Sequence, residues 1–458
     1  MIEIDAKIHD RYTVEFKVGF VTKEISSGDD FLLGMWVFVP ASLDINPETY
    51  TKKAFYRYFK SNIRLITPRF DLGEIVEGDA LPLNSLLNAG GDYDYQLKMF
   101  VSIVKSSVRE AYLAMARTAP GPARRESCLD FISRLSAILA RYQALNPEPR
   151  WEEAYRLCGE FLCNVSAEAV FKVMRMGECR SELSALLGEI SAIRAKRGYI
   201  TVVPGDPESN REYIFRHGVV KKYSEEQLYL SVPKTRDGFL AEQAYYSVAA
   251  GMAMLFATVV AWAFQRQFGN LTWPLFLALI ISYMLKDRIK ELMRFYFSHR
   301  VGSKYFDNKA EIRHRNRTIG IMKEGMDFVK RSKVPREVRE LRERKVDSGY
   351  IGLAEDESVM LYREMVKIDR KALAEVSTYR HEGINDIIRL QVQGFLRKAD
   401  NPVKKVGYLE PDGNIAMIPC EKDYFMHIVL QYKEGGKECY KCFRIMMNRD
   451  GIKSVIEI

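Results

Sequence analysis

Cys439-Tyr-Lys-Cys442 has the spacing of zinc and thiol–disulfide sites, where a tight turn lets two thiolates converge on one centre. Here the motif lies in a segment that alternates as a β-strand, so residues three apart point to opposite faces. No second CxxC accompanies it. Strand packing is therefore expected, with Cys420 able to join a site only if the strand were broken. The six histidines are His9, His217, His299, His314, His381 and His427, with no HxH or HExxH arrangement among them. His427 alternates within a strand, where a packed or surface ring is the default. Gly28-Asp29-Asp30 and Gly90-Gly91-Asp92-Tyr93-Asp94 place carboxylates in glycine-containing loops, which suits a divalent cation held by oxygen ligands. The same residues make turns and helix caps, and Asp92 stands where a helical pattern begins. Glycine-rich phosphate loops and a G-x-S-x-G element are absent. No cofactor or metal is expected, and the sequence leans away from an enzyme without excluding one.

Cations offer more. From Lys286 to Lys345 there are 19 Lys/Arg against 9 Asp/Glu, a net of +10 that covers the whole formal excess of +9 in the chain. Arg300, Lys304, Arg313, Arg315 and Arg317 lie in this stretch near Phe295, Tyr296, Phe297, Tyr305 and Phe306. Basic residues mixed with aromatics can hold nucleic acid through phosphate contact and stacking. Beside a bilayer the same pattern serves topology and contact with anionic lipid head groups, the preferred reading here.

The bilayer enters through two apolar runs. Ala244 to Phe264 is 21 residues without a charge. At about 1.5 Å per residue a helix of that length spans roughly 30 Å, the thickness of a hydrocarbon core. After Gln265-Arg266-Gln267 a second uncharged run extends from Phe268 to Leu285. Its most apolar part, Leu271 to Leu285, spans only about 22 Å, so a re-entrant path competes with a full crossing. Pro274 is tolerated in a first helical turn. Trp262 and Trp273 flank the link, and Tyr245 and Tyr283 lie toward the opposite ends, as an interfacial belt requires. Lys286 and Arg288 open a basic flank after the second run, whereas the link carries Arg266 alone. The positive-inside rule then predicts a two-helix hairpin in the cytoplasmic (inner) membrane with both termini cytoplasmic. A buried helical hairpin in a large soluble domain is the competing reading.

The flanks must fold around that hairpin. At 47% hydrophobic and 28% charged, the chain can bury ordinary cores. Seven cysteines, an odd and sparse number, fit a reducing compartment, and the first residues show no secretory signal. The expected fold is an α+β membrane protein. Its parts are a small α+β unit (residues 1–72), a helical bundle with a few strands (73–236) and a transmembrane helical hairpin with a cytoplasmic extension (237–298). A basic, mainly helical juxtamembrane segment (299–379) and a C-terminal antiparallel β domain (380–458) follow. Strand alternation at Tyr12 to Phe20, the apolar run Phe31 to Val39, and helical spacing from Leu97 to Met115 and Leu183 to Ile193 support these parts. Strands are also expected at Tyr199 to Val203, Tyr213 to Val220 and Leu228 to Val232. The last eighty residues alternate between hairpin turns such as Pro411-Asp412-Gly413-Asn414.

This organisation predicts a membrane-anchored, non-enzymatic protein whose cytoplasmic parts bind a protein partner, self-associate or sense a ligand. The alternatives are a membrane-tethered enzyme with an unrecognised site, and nucleic-acid binding through the basic segment.

Overall fold

The computed structural model describes residues 2–21, 29–77, 92–269, 272–302, 306–343, 357–434 and 437–458; the side chains of 2, 29, 77, 241 and 297–302 are not described. It is a mixed α+β structure with antiparallel sheets.

The first residues lay down β1 (Ile2–Asp10), β2 (Thr13–Val21) and β3 (Asp29–Pro40), then α1 (Lys52–Tyr58), β4 (Phe59–Leu65) and α2 (Leu72–Glu77). The strand period of two sets which side of β2 is dry: Val14, Phe16, Val18 and Phe20 are buried in the core, while Glu15, Lys17 and Gly19 take the other face. β3 is apolar from Phe31 to Val39, and from Leu33 onward both its faces are covered. Leu33, Met35, Val37 and Val39 belong to the main core, and Trp36 and Phe38 to a second one with Val334 and Val338.

Five helices follow: α3 (Tyr93–Arg117), α4 (Pro122–Gln143), α5 (Glu152–Met174), α6 (Arg180–Arg197) and α7 (Pro207–Ser224). α5 is central and packs on the other four. Tyr142 and Tyr155 lock α4 to α5: their rings stack at 4.8 Å and each hydroxyl donates to the other's carbonyl, at 2.8 and 2.9 Å. Asp206 caps α7 by accepting from the amides of Glu208 and Ser209, and Pro207 occupies the first turn. That cap decides the fate of Tyr213 to Val220. Its β-prone composition predicted a strand, but the segment lies inside α7. Tyr199 to Val203 is not a strand either, and Leu228 to Val232 provides only isolated bridges, Tyr229 to Arg64 and Ser231 to Arg313.

After β5 (Lys234–Arg236) the chain forms two 30-residue helices, α8 (Phe239–Phe268) and α9 (Trp273–Gly302), which pack along each other. Ala249, Ala253 and Ala278 are buried between them, and Ser282 Oγ donates to Ala257 O at 3.4 Å. Small residues let helix backbones approach closely, and their large apolar neighbours are left facing outward.

The segment after the helices corrects an expectation. The described residues of 299–379 are not mainly helical beyond the end of α9: they hold β6 (Asn308–His314), β7 (Arg317–Val329) and β8 (Glu357–Ile368), with α10 (Arg336–Glu343) and α11 (Arg370–Val376). The reason is visible at Arg315-Asn316, where both residues have positive φ, 48° and 67°. They form the two-residue turn of a β-hairpin, a conformation usually signalled by Asn-Gly or Asp-Gly. Arginine at its first position hides it.

The chain closes with β9 (Gly383–Gln391), α12 (Gln393–Leu396) and strands β10 (Val403–Leu409), β11 (Ile415–Glu421), β12 (Tyr424–Glu434), β13 (Lys437–Asn448) and β14 (Gly451–Glu457). One sheet has the order β1-β2-β9-β4, and the larger one β14-β13-β12-β3-β8-β7-β6-β5. Their inner faces meet through Phe16 on Phe443 at 5.4 Å and Phe59 on Tyr362 at 4.2 Å. Strands from 1–72 and from 380–458 thus share both sheets, where the sequence suggested two separate units. Among the described residues β10 and β11 pair only with each other, as an exposed ribbon.

Candidate functional site: a basic cleft and the buried carboxylates behind it

The outer face of the small sheet is turned toward α3, and a cleft of about 790 Å³ lies between them. Register fixes the sheet wall. Gly19 of β2 pairs with Asn385 of β9, and Asn385 pairs with Arg64 of β4, so the three form one row across three strands. A Cβ on Gly19 would stand 3.0 Å from Asn385 Oδ1, so a glycine here lets the amide lie across the strand. Lys17 is next along the same face of β2, and α3 supplies Lys105, Ser106 and Arg109 from the opposite wall.

The cations divide into two groups. Lys105 is 2.5 Å from Glu225, Arg134 2.7 Å from Asp130, and Arg69 3.3 Å from Glu382. Lys17, Arg64 and Arg109 have no carboxylate within ion-pair distance among the described residues. Burial, then the charges of Arg109 and Arg64, hold the Lys17 ammonium below the usual lysine range. Arg64 stacks 5.5 Å from the centre of the Tyr229 ring, and its Nε is sealed from solvent with no hydrogen-bond partner among the described residues.

Behind this sheet the odd positions become even ones: Asp386, the neighbour of Asn385, points into the core, where Ser61 Oγ donates to it at 2.7 Å. Burial pushes Asp386 up to about 6. Glu364 of β8 is raised well above the carboxylate range by burial and by the Asp386 charge. Tyr362 Oη reaches Glu364 at 2.7 Å and Glu324 at 3.0 Å, with both carboxylates buried. Glu324 is also held by Lys234 Nζ and by Asn308 Nδ2, each at 2.8 Å. A polar line therefore runs from β9, through the core, to the two chain segments that carry α8 and α9. It lies outside the cleft lining and holds no group of three ligands suited to a metal among the described residues.

The residues singled out from sequence fall in two places. Trp262, Trp273, Tyr245 and Tyr283 are exposed on the paired helices, with Lys286 Nζ 4.0 Å above the Tyr283 ring and Arg288 3.1 Å from Glu291. Among the described residues one helix, over Glu242–Phe268, is long and apolar enough to cross a membrane, and only 11% of its most apolar window is buried. α9 does not meet the same measure, since its uncharged part ends at Leu285 and Lys286, Asp287 and Arg288 follow within the helix. Arg313 is 2.8 Å from Glu311, Arg317 3.2 Å from Glu375 and Arg315 2.5 Å from Asp92, with Arg315 also 4.5 Å from the Tyr95 ring centre. These three arginines meet carboxylates of the chain, and Arg315 joins the β6–β7 turn to the start of α3. Arg300 lies in α9 with its side chain undescribed, and Lys304 lies outside the described residues, as do Gly28, Gly90 and Gly91. Asp30 is 2.8 Å from Lys367 and Asp94 2.8 Å from Lys98, so both are engaged in ion pairs.

Cys439 and Cys442 face different cores, as strand geometry requires. The sequence reading missed Lys17, Arg64 and Arg109, which are scattered over ninety residues; the only local signal was a lysine on the polar side of an alternating strand. Comparison finds no protein family, curated protein or solved structure that matches the chain.

Proposed function

We propose that this is a membrane-anchored, non-enzymatic protein whose folded body lies at the cytoplasmic surface and binds a ligand or a partner there. The observation that carries this reading is the exposure of the Glu242–Phe268 helix. A 27-residue apolar helix left uncovered by its own chain is poorly suited to water and well suited to lipid. α9 returns the chain to the same sheet edge that α8 leaves, since β5 and β6 are paired neighbours. Both flanks of a hairpin inserted in this way stand on one side of the bilayer, and the basic residues after Leu285 favour the cytoplasmic side. The body carries further exposed apolar side chains, Ile214 at 67% and Phe215 at 73% on α7, available to a protein partner or a second copy.

The enzyme reading has less support, because the carboxylates with displaced proton affinities are enclosed in the core. Nucleic-acid binding through Arg313, Arg315 and Arg317 has less support too, because each already meets a carboxylate. Expressed membranes washed with alkaline carbonate test the proposal. Retention of the chain in the pellet is expected; its release into the supernatant would overturn the anchor.

A further inference from the structure

We infer that the cleft between α3 and the outer face of the β1-β2-β9-β4 sheet binds a small phosphorylated molecule, with Lys17, Arg64 and Arg109 holding the phosphate. The inference rests on the reading of the body as ligand-binding and is independent of how the chain is anchored.

Three cations on three different elements, β2, β4 and α3, border one volume, and none meets a carboxylate among the described residues. Bringing like charges together costs free energy unless something compensates; the Lys17 ammonium is held down first by burial and then by the charges of Arg109 and Arg64. Three acids of the cleft, Glu225, Asp130 and Glu110, face Lys105, Arg134 and Arg69 instead. Glu3 and Asp5 act on Lys17 from β1, each more weakly than either arginine. A dianion entering the cleft relieves this repulsion.

Geometry selects the anion. A planar carboxylate is satisfied by the fork of one guanidinium, whereas a phosphate presents oxygens in several directions and suits donors converging from separate elements. The volume, about 790 Å³, falls in the range of pockets for small organic ligands and exceeds what an inorganic phosphate fills. The Asn385 amide and the Ser106 hydroxyl line the remainder and can fix the polar part of the attached group.

A lipid head group carries the same chemistry as a free phosphate ester, so the test has two arms on the full-length protein. In detergent, inorganic pyrophosphate is titrated calorimetrically at constant ionic strength, with sodium sulfate as control. In nanodiscs of phosphatidylcholine with or without phosphatidic acid, acylation of Lys17 is followed by mass spectrometry. Saturable pyrophosphate binding is expected, weakened tenfold or more by Arg64→Gln and by Lys17→Gln and largely retained in Arg64→Lys. Gel filtration checks that each variant is folded. Protection of Lys17 by phosphatidic acid alone, lost in Arg64→Gln, would support the phosphate site with a lipid source. If neither probe binds, or both bind Arg64→Gln and Lys17→Gln as well as the parent, the inference falls. The anchor is read separately by carbonate washing and stands or falls without it.

Discussion

Lys234 places its ammonium 2.8 Å from the buried carboxylate of Glu324, and this pair joins the stem of the helical hairpin to the core of the larger sheet. Lys234 lies in β5, just before α8. The same carboxylate accepts from Asn308, which opens β6 after α9. Tyr362 then passes the contact on to Glu364. Both legs of the hairpin are thus tied to one side chain.

Replacing Glu324 by Gln keeps the shape and removes the charge. Lys234 is a third exposed and can turn partly to water, so a loss of about 1–3 kcal/mol is expected, at the lower end for a broken buried pair. Thermal unfolding in detergent measures it, and faster tryptic cleavage at Arg236 would show that the stem has loosened. Combining Glu324→Gln with Lys234→Met should recover part of the loss, because the two residues share one interaction. Strictly additive losses would argue against the clamp.

Asp386 gives a pH dependence whose sign can be worked out. Its folded-state pKa, about 6, lies above the ordinary aspartate value of 3.8. Between those values the folded protein holds a proton that the unfolded chain has lost, so this contribution to stability is present at low pH and lost as pH rises through 6. Asp386→Asn should therefore stabilise the protein at pH 7.5, on the order of 1–3 kcal/mol, with little gain at pH 4. Melting curves of the two proteins at both pH values check this. Equal gains at pH 4 and pH 7.5 would mean that packing, rather than ionisation, is responsible.

Ala253 is buried between α8 and α9, whereas Val259 on the same helix is 53% exposed. Ala253→Leu has no space without separating the helices and should cost roughly 1–3 kcal/mol. Val259→Leu should be close to neutral. Thermal stability in detergent compares them, and similar values for the two would exclude close packing at Ala253.

The cysteines report on the whole fold. Cys420 is exposed on the β10–β11 ribbon, while Cys128, Cys158, Cys163, Cys179 and Cys442 are buried. Burial also pushes the thiols of Cys158 and Cys163 up, to about 12 and about 11, which suppresses the reactive thiolate. A maleimide should label Cys420 first and Cys439 more slowly, leaving the buried five until the chain unfolds. Mass spectrometry of the native protein reads the order; early labelling of Cys158 would contradict the central packing of α5.

Patterns that a single segment carries were determined by the sequence alone. The apolar run from Ala244 to Phe264, the alternation of Val14, Phe16, Val18 and Phe20, the α3 spacing and the C-terminal hairpins all appear where local periodicity puts them. Each reflects one element choosing between water and an apolar face, which its own residues decide. Partnership was left to the tertiary structure. β2 pairs with β9 across more than 360 residues, and nothing in either strand names the other, because backbone hydrogen bonds are the same for any partner. The β6–β7 turn was hidden by an arginine held at positive φ, where Asp92 and Tyr95 receive its guanidinium. The cleft follows from the same cause. Lys17, Arg64 and Arg109 become one site only when strand register and the docking of α3 bring them to a common space, since charges interact through distance rather than sequence separation.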